Sequence, residues 1–375
     1  MIYLDNAATT RVSRAVLREM NRAFSELYAN PASVHQAGLQ ARDLMQLARE
    51  RCATAIGAYP EQIVFTSGGT ESNNLTILGL ASFLKKQGKT HLITTQVEHA
   101  SVLAPMEFLE THGFSVTYLP VERDGSLSPE TVERAIREST GLVSVMAINN
   151  ETGNQYPVEE IGRRCKDHGV LFHTDFVQGF GQLAVNLSCI DFLSVSAHKF
   201  HGPKGVGFLY AKQKEVLSPL LLGGGQEGGL RPGTENVPGI AGMGLAAELA
   251  DEAFQRNQKT FRDLSQHLLS RLHRLGVPFQ VNGDPCHQSP KILNLRFPGV
   301  DAESLLLLLS NFGVMVSTGS ACSAHEVAPS HVLKALGFSD AEARSSIRVS
   351  LCESTTKEGL SQFASYLVSA LSMLR

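Results

Sequence analysis

Residues 170–199, VLFHTDFVQGFGQLAVNLSCIDFLSVSAHK, contain two short apolar runs that each lead into charged side chains. The runs at 170–173 and 192–196 are rich in β-branched and aromatic residues, which is typical of strands. Asp175 follows the first run and Lys199 follows the second. Because open α/β sheets bind ligands outside the carboxyl ends of their strands, these two runs predict a buried sheet with a functional edge.

The same pattern extends in both directions along the chain. Between about residues 60 and 210, strand-like runs alternate with segments of helical period, which indicates βαβ units and a mainly parallel, seven-stranded sheet of the α/β class. The other predicted strands are 62–66, 91–96, 115–119, 142–148 and 207–211, and the predicted helices are 75–87, 103–111, 130–138 and 158–168. Polar residues follow several of these strands, so we expect their ends to meet in one pocket.

The chain changes character after the glycine-rich stretch 223–239. A long helix is predicted to about residue 275, followed by strands at 291–297, 314–317 and 346–350 and helices at 302–311 and 356–374. This pattern indicates a second, smaller α+β domain. We expect a large domain over residues 12–256 and a small domain formed by residues 1–11 and 257–375.

Charge and hydropathy exclude several classes of partner. The 375 residues include 33 Lys and Arg against 36 Asp and Glu, so the net charge is −3 and there is no basic excess to attract a nucleic acid or an anionic membrane. No apolar run approaches the roughly 20 residues that span a bilayer, and Asp5 interrupts any signal-like N-terminal stretch. We therefore expect a soluble, cytoplasmic protein that binds neither nucleic acid nor membrane.

The six cysteines, at positions 52, 165, 189, 286, 322 and 352, show no C-x-x-C spacing. This argues against a zinc ribbon and against a disulfide framework, and it favours a reducing compartment. His198 and His201 have the spacing of an H-x-x-H metal pair, but no third ligand accompanies them. We expect no metal site.

Ser67-Gly68-Gly69-Thr70 lies between a predicted strand and a predicted helix. Backbone N–H groups and the helix dipole at such a junction form an anion site. The alternative is a tight turn in which Thr70 caps the helix. The stretch lacks the lysine and the spacing of a nucleotide-binding P-loop.

Lys199 and Asp175 add two further parts of a site. A lysine at a strand end is partly desolvated, which lowers its pKa and suits a Schiff-base nucleophile and base, although a solvated lysine is the common case and Lys204 is a rival. A buried Asp175 needs a cationic partner, either a protonated pyridine nitrogen or a structural salt bridge. An anion cradle, a lysine and an aspartate at strand ends together predict a pyridoxal-phosphate site.

With these motifs the chain resembles, over essentially its full length, the pyridoxal-phosphate cysteine desulfurases of the class V aminotransferase fold, a fold type I transferase architecture. The matching stretches occur in family order and are residues 3–10, 30–33, 65–73, 98–99, 149–153, 175 with 178, 196–203, 223–234 and 317–323. The resemblance is to the subgroup with a long cysteine loop, which supplies sulfur to iron–sulfur scaffolds and tRNA-thiolation enzymes.

The resemblance implies roles for individual residues. Lys199 would bind the cofactor covalently, Asp175 would pair with the pyridine nitrogen, and His99 would stack on the ring and assist proton transfer. The ring hydroxyl would be reached by Asn150 and Gln178. The phosphate would be held by Gly69, Thr70, Ser196 and His198, with Thr234 supplied by the second subunit of a homodimer. Arg348 would bind the substrate carboxylate bidentately, and Asn30 would also bind substrate.

Cys322 stands apart from the other cysteines because it lies among small residues, at 317–325, that favour a mobile loop. Its thiolate would be the competent nucleophile. The resemblance implies that L-cysteine is converted to L-alanine, and that sulfur passes through a Cys322 persulfide to an acceptor protein.

One position departs from the family pattern. Phe176 follows Asp175 where the family usually has an alanine against the cofactor ring, so a phenyl group there would stack on the ring or force a local shift. A sulfur carrier or assembly scaffold whose site Phe176 has damaged is therefore one alternative. A second, independent alternative is an aminotransferase or selenocysteine lyase on the same scaffold.

Overall fold

Seven of the first eight strands form a sheet at the centre of the protein. In the computed structural model, which describes residues 1–318 and 329–374, the eight strands are β1 (Ile2–Tyr3), β2 (Ile63–Thr66), β3 (His91–Thr95), β4 (Ser115–Leu119), β5 (Thr140–Ser144), β6 (Leu171–Asp175), β7 (Phe192–Ser196) and β8 (Gly207–Ala211). The sheet has the order β2-β8-β7-β6-β5-β3-β4. Only β8 runs against its neighbours, so the predicted α/β fold with a mainly parallel seven-stranded sheet is confirmed.

Helices cover this sheet and precede the second region. They are α1 (Arg14–Ser25), α2 (Gln36–Thr54), α3 (Gly69–Gly79), α4 (Ala81–Lys86), α5 (Ala100–Glu110), α6 (Pro129–Ala135), α7 (Val158–Asp167) and α8 (Val237–Arg274). The helix predicted at 75–87 is two helices and begins earlier, at Gly69, because Gly68 adopts a φ of 149° that lets the chain turn directly out of β2. None of the helices in the described part of the chain combines the length and the apolar character needed to cross a membrane.

Both faces of the sheet are buried, as expected for parallel strands covered by helices. Along β2, Ile63 and Phe65 lie in one hydrophobic cluster, while Val64 lies in another. Neighbouring residues of β3 divide in the same way, with Ile93 on one face and Leu92 on the other. Because both faces are covered, the edge formed by the strand ends is where polar side chains can gather.

The second region forms its own core. It contains β9 (Gln280–Asn282), β10 (Ile292–Arg296), α9 (Ala302–Asn311), β11 (Val314–Met315), α10 (His331–Ala335), α11 (Asp340–Ala343), β12 (Ser346–Ser350) and α12 (Lys357–Leu374). Strands β12, β10 and β9 form an antiparallel sheet, and β1 pairs with β11. Leu4 packs into this core, and the assignment of residues 1–11 to a small domain stays a prediction.

Helix α8 connects the two cores. Its first part, through Ala247, packs in the cluster of the large sheet, whereas Phe261 to Leu272 pack in the second cluster. A division of the chain within α8 is compatible with this packing, and the boundary at residue 256 stays a prediction. The strand predicted at 142–148 ends at Ser144, although Val145 and Ala147 still donate to carbonyls of β6.

Candidate active site

Three strands deliver polar residues to one edge of the large sheet. Thr66 ends β2, Asp175 ends β6 and Ser196 ends β7. Strands β6 and β7 are parallel, and β2 has the same direction because β8 lies antiparallel to both β2 and β7. The predicted convergence at the carboxyl ends is therefore confirmed for these strands.

The N-terminus of α3 forms a cradle of backbone groups at this edge. Gly68 is the N-cap and has no side-chain capping bond, so the first-turn N–H groups are not satisfied by a cap. A Cβ atom added at Gly69 would lie 2.6 Å from Val177 Cγ2, and one added at Gly207 would lie 2.7 Å from Gly68 Cα. Close packing therefore requires glycine at positions 69 and 207. The alternative in which Thr70 caps the helix is wrong, because Thr70 lies inside the first turn.

Asp175 is a buried carboxylate held by neutral donors. Only 6% of the residue is exposed. Asn73 Nδ2 donates to Oδ2 over 2.8 Å, and the Val177 N–H donates to Oδ1 over 3.0 Å. Within residues 1–318 and 329–374 no lysine, arginine or histidine pairs with it, so the structural salt bridge offered as an alternative is not found there. A cationic ring nitrogen is the kind of partner this carboxylate lacks.

A chain of hydrogen bonds connects Asp175 to His99. Asn73 Nδ2 also donates to Ser101 Oγ over 2.8 Å, and Ser101 Oγ lies 2.8 Å from His99 Nδ1. The Ser101 backbone N–H donates to the same ring nitrogen over 3.1 Å, as His99 caps α5. Because a backbone N–H can only donate, Nδ1 is an acceptor and the proton of neutral His99 lies on Nε2.

Glu98, next to His99, is a fully buried carboxyl group. Its Oε1 accepts from Thr95 Oγ1 and from the Met146 N–H, at 2.9 and 3.0 Å. Among the described residues Oε2 has no hydrogen-bond partner. Burial, helped by the negative charge of Asp175, raises the pKa of Glu98 to about 8. Glu98 is therefore neutral at pH 7, which keeps a second negative charge away from Asp175.

The substitution Glu98→Gln is expected to raise stability at alkaline pH. The native state holds a proton on Glu98 that the unfolded chain loses near pH 4.5, so wild-type stability falls as the pH rises toward about 8. Glutamine keeps the accepting oxygen and does not ionise. Thermal unfolding should show a Tm gain of at least about 3 °C at pH 9 and a much smaller gain at pH 5. Parallel wild-type and variant profiles between these two pH values would contradict the assignment.

Lys199 closes a short 3₁₀ turn that directly follows β7. Its Nζ donates to the carbonyls of Ala7 and Ala8, each over 2.8 Å. Gln178 Nε2 donates to the same Ala7 carbonyl over 2.8 Å. Lys199 is thus half-buried and held in place, unlike a freely solvated lysine, whereas its rival Lys204 is exposed in a turn.

His198 and Ser196 flank the cradle. Burial, followed by the positive charges of Lys199 and Lys204, lowers the pKa of His198 to about 4, so its ring is neutral at pH 7. Its Nδ1 lies 3.1 Å from Thr9 Oγ1. A Cβ atom at Gly68 would lie 3.4 Å from Ser196 Oγ, which places this hydroxyl against the glycine turn. Both side chains can offer a hydrogen-bond donor to an anion.

His201 does not form a metal pair with His198. Its Nε2 is in an ion pair with Glu353, and its Nδ1 lies 2.9 Å from the Arg11 carbonyl. In the described part of the chain, no group of three or more His, Cys, Asp or Glu side chains is arranged to hold a metal ion.

Arg348 comes from β12 of the small sheet and is only 2% exposed. Its Nη2 pairs with Asp5 Oδ1 over 2.8 Å, and its Nη1 donates to the Asn150 carbonyl over 2.9 Å. The backbone of Asn150 is therefore part of this cluster. A buried guanidinium suits a carboxylate ligand, and the role of Arg348 in binding substrate stays a prediction.

Three predicted site residues are not brought to this edge by any described contact. Asn30 is exposed, and its Oδ1 accepts from the Ala32 N–H inside the turn between α1 and α2. Thr234 is exposed. Cys322 lies in residues 319–328, outside the described residues. Their roles stay predictions.

Phe176 does not face the site. It is 1% exposed and belongs to the main hydrophobic cluster, with its ring packed against Gly179. Val177, one residue further, is the side chain that lies against Gly69. The expectation that a phenyl group stacks on the ring is therefore wrong, because consecutive residues after the strand point in different directions. A local shift of the site stays a prediction.

Several residues of the site could not be assigned a role from sequence. Asp5, the carbonyls of Ala7 and Ala8, Asn73 and Ser101 all contact predicted site residues. Four of the five lie inside stretches already recognised as motifs, at 3–10 and 65–73. Their position within a motif indicates that these four residues lie near the site. It does not show which side chain or carbonyl makes the contact.

The residues present fit pyridoxal phosphate. The cradle has no side-chain cap, Gly69 has no room for a side chain, and Gly68 has a φ of 149° that favours glycine, so backbone N–H groups are exposed to a phosphate. Asp175 lacks a cationic partner in the described chain, and Lys199 lies just beyond the end of the adjacent strand. Gln178 Oε1 is buried without a hydrogen-bond partner among residues 1–318 and 329–374, so it can accept from a bound group.

A mainly parallel sheet that presents a lysine, an aspartate and an uncapped helix at one edge is typical of α/β enzymes that bind pyridoxal phosphate. The chain belongs to the aminotransferase class-V family, which it matches over residues 2–363. This family is pyridoxal-phosphate-dependent.

Relatives and solved structures agree with this assignment. The cysteine desulfurase IscS of Dictyoglomus turgidum is 43% identical over 376 residues, covering 100% of this chain and 95% of the relative. A solved NifS-like protein superposes with a TM-score of 0.93 at 40% identity and covers 100% of both chains. A structure of SspA in complex with cysteine has a TM-score of 0.83 at 39% identity and covers 94% of this chain and 99% of its own.

Proposed function

We propose that this protein is a pyridoxal-phosphate-dependent cysteine desulfurase. It converts L-cysteine to L-alanine and passes the sulfur through a Cys322 persulfide to an acceptor protein. The observation that carries the proposal is the grouping of Lys199, Asp175 and the uncapped start of α3 at one sheet edge, in a chain similar over its full length to cysteine desulfurases.

The residues that would hold the cofactor surround that edge. Lys199 would bind it covalently, and Asp175 would pair with its ring nitrogen. The ring would be contacted by His99, Asn150 and Gln178, and the phosphate by Gly69, Thr70, Ser196 and His198. When bound, pyridoxal phosphate supplies an electron sink for the pair left on the substrate α-carbon.

The protein's own side chains bind the substrate and move its protons. Arg348 binds the α-carboxylate through its guanidinium, which orients the substrate amine and α-carbon. Asn30 is included in the proposal as a further substrate contact. Lys199 Nζ removes the α-proton, and His99 Nε2 serves as a second proton carrier.

Cys322 removes the sulfur. Its thiolate attacks the substrate sulfur, an S–S bond forms, and the substrate Cβ–S bond breaks. The electron pair of that bond stays with Cβ, which takes up a proton and becomes the methyl group of alanine. The proton that Lys199 Nζ removed then returns to the α-carbon. The sulfur remains on Cys322 as a persulfide, and an acceptor thiol then takes it over.

An iron–sulfur scaffold or a tRNA-thiolation enzyme is the proposed acceptor class, by resemblance to the subgroup with the long cysteine loop. We place the reaction in the cytoplasm, since the five described cysteines are free thiols and reducing compartments keep thiols in that state.

A homodimer is proposed as the working form, with Thr234 reaching the partner's phosphate site. Leu220, Leu221 and Leu222, directly before the glycine-rich stretch, are 38%, 54% and 91% exposed. Three adjacent exposed leucines beside that stretch support a subunit contact there.

The proposed reaction has a simple stoichiometric test. The purified protein, supplied with pyridoxal phosphate, L-cysteine and a thiol reductant, is expected to form alanine and sulfide in equal amounts without any keto acid. A keto-acid requirement would instead indicate an aminotransferase. A protein that stays colourless and forms no alanine would indicate a scaffold, and either result would refute the proposal.

A further inference from the structure

We infer that Asp5 is a positioning residue that holds Arg348 in the orientation needed to bind the substrate carboxylate. This inference rests on the proposed function, since it deepens the role of the same site. Asp5 Oδ1 lies 2.8 Å from Arg348 Nη2, and the two side chains come from opposite ends of the chain.

Two acceptors fix the guanidinium of Arg348. Asp5 accepts a hydrogen bond from Nη2, and the Asn150 carbonyl accepts one from Nη1. Among the described residues Nε is buried without a partner. A guanidinium has five N–H donors, so Nε–H and a second N–H of each Nη nitrogen stay available. A substrate carboxylate can therefore bind with Asp5 in place.

Asp5 itself is placed by the backbone of the small sheet. It forms a β-bridge with Ser350, and Asn6 Nδ2 donates to the Ser350 carbonyl over 2.8 Å. The Ala7 N–H donates to Ser350 Oγ over the same distance. These bonds attach residues 5–7 to β12 two residues beyond Arg348, so the Asp5 carboxylate is aimed by a rigid element.

The same segment continues to the cofactor-binding lysine. The carbonyl of Ala7 accepts from Lys199 Nζ and from Gln178 Nε2. Residues 5–8 therefore connect the carboxylate-binding side chain with the lysine and glutamine of the opposite domain.

The charges at the contact favour a fixed pair. The side chain of Arg348 is 2% exposed, and that of Asp5 is 20% exposed. A cation this deeply buried needs a nearby anion or it destabilises the fold. When the substrate is absent, Asp5 is the carboxylate, among residues 1–318 and 329–374, that pairs with Arg348.

Two substitutions at Asp5 test whether it acts on Arg348 through the hydrogen bond that orients the guanidinium or through its negative charge. Asp5→Ala removes the acceptor, so the guanidinium loses its fixed orientation, and KM for L-cysteine is expected to rise about tenfold with kcat within about twofold. Asp5→Asn keeps an oxygen acceptor at the same place, and KM should stay within about threefold of wild type. Thermal unfolding of both variants identifies any loss of folded protein.

Inhibition by two substrate fragments tests the carboxylate directly. 3-Mercaptopropionate retains the carboxylate and lacks the amine, whereas cysteamine lacks the carboxylate. Asp5→Ala is expected to raise the competitive inhibition constant of 3-mercaptopropionate about tenfold and to change that of cysteamine less than about twofold. A general structural defect would change both constants.

Matched variants decide the outcome. Asp340→Ala breaks an exposed ion pair with Lys334 and should leave KM unchanged.

If Arg348→Ala raises KM and Asp5→Ala does not, the inference about Asp5 is wrong while the proposed function stands. A fall in KM for both Asp5 variants would show that Asp5 competes with substrate and would also overturn it. If Arg348→Ala leaves KM unchanged, the carboxylate role of Arg348 is wrong as well.

Discussion

Replacing Cys322 by alanine is expected to leave the purified protein yellow and to abolish sulfide release from L-cysteine in the presence of a thiol reductant. In the proposed function, cofactor binding depends on residues at the sheet edge, such as Lys199 and Asp175, and the substitution leaves these unchanged. Sulfur transfer depends on a thiolate, which alanine cannot supply. The visible spectrum and a sulfide assay on the same sample measure the two properties separately.

Cys286 provides a matched control for this substitution. It is an exposed free thiol, and no described contact joins its side chain to a residue of the proposed site. Cys286→Ala is expected to keep sulfide release within about twofold of wild type, because a surface substitution removes no contact of the site. Full activity of Cys322→Ala, or a large loss in Cys286→Ala, would refute the assignment of the sulfur nucleophile. Mass spectrometry after incubation with cysteine should find the added sulfur on Cys322.

Lys199→Ala is expected to lower the rate of alanine formation by about 10³-fold or more, since it removes the residue proposed both to attach the cofactor covalently and to carry the α-proton. The variant should also lose the cofactor adduct that borohydride fixes in the wild-type protein. Folding should be retained, because the carbonyls of Ala7 and Ala8 that accept from Nζ lie in a segment that Ser350 also holds in place.

Lys204→Ala is the control for the lysine assignment. Lys204 lies five residues further along the same segment, exposed in a turn. We expect its replacement to preserve the borohydride adduct and to keep activity within about twofold. Loss of the adduct in Lys204→Ala, with retention in Lys199→Ala, would mean that Lys204 is the cofactor lysine.

Much of the architecture was predictable because it depends on local patterns. The predicted strands 115–119, 192–196 and 207–211 have the same bounds in the structure, and so does the helix at 302–311. Hydrophobic periodicity decides these elements, since each must bury an apolar face whatever its neighbours are. Helix boundaries near glycine were less predictable, as at Gly69, because a φ of 149° at Gly68 cannot be inferred from residue type alone.

The direction of side chains at the site was not predictable. Phe176 and Val177 are both apolar and adjacent, and only the path of the chain after β6 turns the first into the core and the second toward Gly69. The sequence around Asn73 likewise does not indicate that its side-chain amide donates to both Asp175 and Ser101.

The order of motifs along the chain was sufficient to place Lys199, Asp175 and the glycine turn at one edge, because parallel strands align their carboxyl ends. Folding alone brings Asp5 to Arg348 and the Ala7 carbonyl to Lys199, across 343 and 192 positions of sequence. Contacts over such separations depend on how two cores pack around α8, and no local pattern carries that information. The grouping of residues at the strand ends can thus be predicted from the sequence. The contact between Asp5 and Arg348 is decided only by the assembled tertiary structure.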